Sequence, residues 1–399
     1  MHSRLLLFVL ILASAVAWMS TDLYAPSLAH LPAYFGATPA TVKLTMSLNA
    51  LAYALATLVH GPLCERFGRR PVLLWGMAAF TLFSFFCAVS QTIGQLIGAR
   101  ILQGLAAAVE GVVVLAIIRD TFKNSEQVRA LAIYGVATAL TPAVAPIIGG
   151  YIYIYFGWRM NFYLLSAIAL GATLMVWFHL EESGRKDLRA LLPMEIIRDY
   201  AGMFRNRDYL CFTLIGGSTL GFFFAFITAG PFILINTHGL PTQYFGYFQG
   251  LAVVSYIAGS LVAERLARRL PGWTIMGFGA AVAVCGGVLL LIIVYGGYET
   301  PLTLAIALAL TAFGDGPVFA TTPSLAMDAT RSRTGAAAAM FVAIEIGIGA
   351  LAALAVGVLH DDTSRPLALT TAALCIVLLT CLWLQRNSNN RGRTTVSER

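Results

Sequence analysis

Twelve stretches of this chain are each long and apolar enough to cross a lipid bilayer, and this restricts its fold more than any other feature. A spanning helix needs about 20 mainly apolar residues. Such runs occupy approximately 5–30, 44–63, 71–90, 94–118, 131–156, 159–180, 211–235, 245–263, 274–297, 301–327, 335–359 and 366–385. In hydrocarbon there is no water to bond the backbone, so runs of this length satisfy their N–H and C=O groups as helices. The composition agrees: 58% of the 399 residues are hydrophobic and only 11% are charged, against about 25% charged in a soluble domain. The expectation is an all-α polytopic membrane protein. Arg4, an apolar stretch and "ASAVA" have the form of a cleavable signal peptide. The apolar run continues to Pro26, however, and is read as the first spanning helix.

Charge placement gives the expected orientation. With both termini in the cytoplasm, the cytoplasmic segments hold all of the 26 lysines and arginines except Lys43, Arg100, Arg159 and Arg365. That asymmetry is the positive-inside pattern, so the net charge of +7 reports topology and implies no nucleic-acid partner. The longest charged connection follows the sixth span. The chain thus divides into a six-helix half (1–180), a cytoplasmic linker (181–210), a second six-helix half (211–385) and a cytoplasmic tail (386–399). "ERFGRR" at Glu65–Arg70 recurs as "ERLARR" at Glu264–Arg269, each between the second and third spans of its half. Parallel repeats of this kind are used by secondary transporters. The six cysteines are scattered without metal or disulfide spacing, and the histidines show no ligand pairing, so no metal site is expected. Neither a nucleotide-binding G-x-x-x-x-G-K-[ST] nor an H-E-x-x-H constellation is present, which argues against ATP-driven transport and intramembrane hydrolysis.

Four carboxylates interrupt the apolar runs. Asp22 lies in "WMSTDLYAPSL" of span one, Glu110 in span four, Asp315 in "AFGDGPVF" of span ten and Glu345 in "FVAIEIGIG" of span eleven. A charge in the membrane is costly, and such residues usually face the bundle interior or a water-filled cavity; alternatively each is held neutral and bonded to a neighbouring helix. At about 1.5 Å per residue, Asp22 and Arg100 fall in the same half of the bilayer and are able to meet. Arg100 would favour an ionised Asp22 and burial a protonated one, so small changes in separation or hydration would bind or release a proton. A static ion pair is the alternative. Arg100 could instead bond the backbone of span one or a neighbour such as Gln103.

"GPLCERFGRRPVLL" (Gly61–Leu74), "RILQG" (Arg100–Gly104), "PAVAPIIGG" (Pro142–Gly150), "STDLYAPSL" and "GWR" (Gly157–Arg159) together resemble motifs of the major facilitator superfamily, specifically the twelve-span bacterial drug:proton antiporters of the Bcr/CflA type. The resemblance covers nearly the whole chain. Glu65 stands where the family usually has Asp, and Ala145-Pro146 where Gly-Pro is commoner. The resemblance implies two six-helix pseudo-repeats and alternating access. It places Asp22 and Arg100 at proton-linked positions, and spans one, four, seven and ten around a central cavity, with eleven partly lining it. Tyr24, Glu110, Phe223, Asp315 and Glu345 are the expected cavity residues, because mixed aromatic and acidic walls suit lipophilic cations. Gly61, Glu65, Arg66, Gly68, Arg69 and Arg70 form the expected cytoplasmic gate, with Glu65 and Arg69 bonding each other and nearby helix ends; enforcing orientation alone is the plainer role. Pro142, Pro146, Gly149 and Gly150 shape and seal the span-five helix.

The expected function is proton-coupled export of small lipophilic or cationic compounds across the bacterial inner membrane, by a monomer using the proton as coupling ion and no other cofactor. Export of an endogenous metabolite, such as an amino acid or siderophore, is the alternative within transport; a non-transporting membrane sensor or scaffold is the alternative outside it.

Overall fold

The computed structural model describes residues 2–183, 193–330 and 334–397. Arg185, Lys186, Arg189, Arg331, Arg333 and Arg399, which entered the orientation argument, lie outside the described residues. The described chain is helical throughout: α1 (His2–Asp22), α2 (Leu31–Phe35), α3 (Pro39–Phe67), α4 (Arg69–Val89), α5 (Ile93–Thr121), α6 (Asn124–Phe156), α7 (Trp158–His179), α8 (Pro193–Arg205), α9 (Arg207–Pro231), α10 (Phe245–Ala267), α11 (Gly272–Gly296), α12 (Pro301–Asp328), α13 (Thr334–Val358) and α14 (Arg365–Ser397). Twelve spans among the described residues are long and apolar enough to cross a membrane.

Local chemistry sets several ends. Thr92 and Thr300 open α5 and α12 as reciprocal capping boxes with Gln95 and Thr303, satisfying amides that have no partner within the helix. Gly68 separates α3 from α4 at φ 98°, a backbone conformation that side chains with a Cβ rarely adopt. Within the linker, Pro193–Arg205 forms the helix α8, and the Tyr200 hydroxyl donates to the Leu58 carbonyl of α3 at 2.9 Å.

The first span departs from the continuous helix expected over 5–30. Its α-helical part stops at Asp22, and the chain continues as a 3-10 turn (Ala25–His30) and then α2. Pro26 has no N–H to give the Asp22 carbonyl, and Pro32 none for Leu28, so the α-helical ladder cannot continue. Asp22 is therefore the last α-helical residue of a broken span.

The two halves meet along α3 against α13 and α6 against α10. At one end of this seam, His30 Nε2 lies 2.8 Å from Thr242 Oγ1, Asn236 Nδ2 donates to the Ala29 carbonyl at 3.2 Å, and Lys43 Nζ meets His360 Nδ1 at 2.9 Å. The Lys43 ammonium also sits 4.7 Å from the centre of the Phe232 ring. That end is closed by direct contacts between the halves.

Candidate functional site

A small pocket lies between the halves at the break in the first span. α1 contributes Trp18 and Asp22, α3 contributes Asn49 and Tyr53, α5 contributes Ala107, α9 contributes Phe223 and Phe224, and α13 contributes Ile346. α12, the tenth span, is absent from this wall and α3, the second, takes its place. Gly314 of α12 is pressed against the Ala283 backbone of α11, and Gly316 against the Tyr256 and Ser260 backbone of α10. These contacts hold the helix tight against its own half.

Asp22 is 1% exposed. Its Oδ1 accepts a hydrogen bond from Gln249 Nε2 at 2.7 Å, and Gln249 belongs to α10 of the other half. The expected meeting of Asp22 with Arg100 does not occur. Arg100 is fully buried. It donates from Nε to the Thr45 carbonyl at 3.3 Å and from Nη1 to the Ser20 carbonyl at 3.1 Å and to Gln103 Oε1. The last carbonyls of a helix have no partner within it, and the broken end of α1 exposes such groups to Arg100. A cation is also favoured there by the helix dipole. Arg100 thus joins α1, α3 and α5 through backbone oxygens, the second of the two roles its sequence position allows.

Tyr24 is not in the cavity wall. Its hydroxyl bonds Thr45 Oγ1 at 3.1 Å and its ring lies 4.9 Å from that of Phe162, with the Arg100 guanidinium 5.5 Å from the ring centre. The turn that follows Asp22 carries it into the first half. Glu110 is buried one helical turn beyond Ala107, also outside the lining. Glu345 precedes the lining residue Ile346 but points into the junction of α9 and α12, where a Cβ on Gly216 would meet Glu345 Oε1 at 2.4 Å and Thr322 Oγ1 at 3.0 Å. Asp315 is held inside the second half by its two flanking glycines, near Tyr256 and Cys375. Of the expected cavity residues, Phe223 alone lines it; of the four intramembrane acids, Asp22 alone does.

The loop motif ties helix ends of the first half together and reaches the start of the linker. Arg69 Nε pairs with Asp120 Oδ2 at 2.8 Å instead of with Glu65, because the sharp turn at Gly68 aims Arg69 at the end of α5. The Arg69 amide donates to Glu182 Oε1 at 2.9 Å, and Arg70 Nη2 to the Trp177 carbonyl at 2.8 Å. Arg66 lies against the Phe67 ring, and Gly61 sits mid-helix with open space where a Cβ would be. In the second half the corresponding Arg268 pairs with Glu264 at 3.5 Å on an exposed surface. On α6, Pro142 and Pro146 lie inside the helix. Gly149 abuts the Leu23 carbonyl, and Gly150 abuts the backbone at Thr242 and Gln243 of the second half. The facing Gly246 of α10 abuts Ile147. Small residues here permit close backbone approach, and they form part of the seam.

Sequence reasoning assigned no role to Gln249, Asn49, Lys43 or His360. The signal for the first two was present: a carboxamide in an apolar run, "YFQGLAVV" and "MSLNALAY", is a candidate interhelical donor. Asn49 Nδ2 donates to the Arg100 carbonyl at 2.7 Å.

The family model described as Major Facilitator Superfamily matches residues 10–352. A bicyclomycin resistance protein homolog from Haemophilus influenzae is 26% identical over 96% of this chain and 98% of its own length. Multidrug resistance protein D of Escherichia coli is 26% identical over 95% of both, and a chloramphenicol resistance protein of Pseudomonas aeruginosa is 25% identical over 95% of this chain and 90% of its own. Among solved structures, a bacterial homolog of the human lysosomal transporter Spinster superposes with a TM-score of 0.74 at 15% identity, covering 98% of this chain and 97% of that one.

Proposed function

Because the chain belongs to the major facilitator superfamily it is a multi-pass membrane transporter, and we propose that it is a proton-coupled antiporter that exports small lipophilic or cationic compounds across the bacterial inner membrane. The observation that carries this reading is the placement of Asp22: one carboxylate, at a helix break, on the wall of a cavity between two halves. Aromatic faces attract cations, and Trp18, Tyr53, Phe223 and Phe224 share that wall with the carboxylate. A proton and a cation compete for such a site, which is the requirement for exchange. The drug-resistance names of the relatives support the substrate class.

Both termini face the cytoplasm, which puts the Lys43–His360 end outside and the Gly61–Arg70 motif inside. The motif's bonds to Asp120, Glu182 and Trp177 keep the first half rigid at the cytoplasmic end while the halves rock. The protein acts as a monomer, with the proton as its coupling ion. The test is substrate-driven proton flux in proteoliposomes. Wild-type protein releases protons from the lumen side as substrate is exchanged, and Asp22→Asn abolishes the coupling. Unchanged proton dependence in Asp22→Asn overturns the assignment.

A further inference from the structure

The bond between Asp22 and Gln249 is fully buried and crosses from the first half to the second. The other hydrogen-bonded side-chain pairs between the halves among the described residues, His30 with Thr242, Lys43 with His360 and Tyr151 with Tyr247, are part-buried or exposed. Gln249 is 0% exposed, and its Oε1 has no hydrogen-bond partner although Nε2 has Asp22. An orphaned acceptor on a buried carboxamide is costly, which makes it informative here.

A carboxamide carries two N–H donors and one accepting oxygen. An ionised Asp22 is acceptor-only and needs a donor, which Nε2 supplies. A protonated Asp22 has an O–H to place and needs an acceptor, which Oε1 supplies once the amide turns about its last torsion. Gln249 thus satisfies either protonation state without another group moving in. The two arrangements differ in strength, since a hydrogen bond to an ionised group is roughly twice as strong as one between neutral groups.

We propose that Gln249 is the positioning residue through which the protonation state of Asp22 is read by the second half: the ionised carboxylate holds α10 tightly to the break in α1, and the protonated one releases it. The proposal rests on Asp22 being the proton site. The surrounding elements carry these titratable or charged groups: Arg100 and Glu110 on α5, Tyr53 on α3, Tyr134 on α6, Tyr256 on α10 and Glu345 on α13. Arg100 is engaged with carbonyls and Gln103, and Tyr134 with Ser14. Gln249 is the group bonded to the Asp22 carboxylate.

The experiment measures binding of tetraphenylphosphonium, a lipophilic cation, to the full-length purified protein from pH 5 to pH 9. Wild type loses binding as the pH falls and Asp22 takes up its proton. Gln249→Leu removes the donor that favours the ionised form, so the midpoint moves up by about one pH unit, while affinity at pH 9 stays within a few-fold of wild type. Gln249→Glu sets a second carboxyl against the first; two carboxyls at that distance share a proton, so the curve splits into two steps. A Gln249→Leu midpoint equal to wild type overturns the proposal. Should that variant fail to fold, a single unshifted step in Gln249→Glu overturns it instead. Asp22→Asn separates the two claims: persistence of the wild-type curve in that variant refutes Asp22 as the proton site, whereas a flat curve there together with unshifted Gln249 variants refutes only the role of Gln249.

Discussion

Alanine at Gly149 would press α6 against the broken end of the first span. An ideal Cβ there lies 1.9 Å from the Leu23 carbonyl oxygen, 2.7 Å from its carbon and 3.1 Å from its Cα, all backbone atoms, whereas ordinary contact begins at 3.4 Å. No rotamer relieves this clash, so the two segments must separate by about 1.5 Å, and a gap of 0.5–1 Å already forfeits a quarter to a half of each dispersion contact. Overpacking of this kind costs about 1–3 kcal/mol, and a purely backbone obstacle puts Gly149→Ala at the upper end. The helix propensity of alanine returns about 1 kcal/mol, leaving a net loss of about 2 kcal/mol. Gly171→Ala on α7 is the control, because its Cβ meets nothing within 4 Å, and it should gain about 0.5–1 kcal/mol. Paired unfolding measurements in detergent read the difference. Because Leu23 follows Asp22, Gly149→Ala should also weaken proton coupling in proteoliposomes through the 2.7 Å bond to Gln249. Stabilities of the two variants within 0.5 kcal/mol of each other would refute the close-packing argument.

Arg100→Lys replaces a fork that serves carbonyls on two helices with a single point charge; with one buried acceptor left unpaired, thermal unfolding should show a loss of about 1–3 kcal/mol, and a loss under 0.5 kcal/mol would sink that role. At the closed end, burial first and then the Lys43 ammonium hold the His360 imidazole below its ordinary 6.5, against the opposing pull of Asp362. The folded state therefore resists protonation of His360. Stabilisation by its contact with Lys43 is complete above pH 6.5 and declines as the pH falls below that value, and His360→Gln should remove this part of the pH dependence of unfolding. Phe223→Ala should weaken tetraphenylphosphonium binding by about two- to fivefold, the worth of one exposed cation–π contact. Asp315→Asn, outside the cavity wall, should leave the preference for cationic over neutral compounds unchanged in competition binding, and a changed preference would place Asp315 in contact with substrate.

The four intramembrane acids show how far the sequence reaches. Each was visible because a carboxylate in an apolar run is costly wherever the helix points. Asp22 reaches the cavity, whereas Asp315 is locked into its own half by Gly314 and Gly316. The flanking glycines were legible in "AFGDGPVF", but the helices they would meet were not. Gln249 is the converse case. Its carboxamide in an apolar run marks a candidate interhelical donor, but only the fold sets it 2.7 Å from a carboxylate far away in the chain.

The sequence by itself determined the twelve spans and the two halves, because bilayer crossing is a local property of a segment, whereas the break at Asp22 was a departure from the continuous first span expected over 5–30. Rise per residue also gave each polar group its depth along its helix. Depth leaves rotation about the helix axis open, and rotation is fixed by the small residues that distant helices press against one another. For that reason the tertiary structure alone decided that Arg100 holds the Ser20 and Thr45 carbonyls, that Arg69 reaches Asp120, and that Asp22 is answered by Gln249 of the other half.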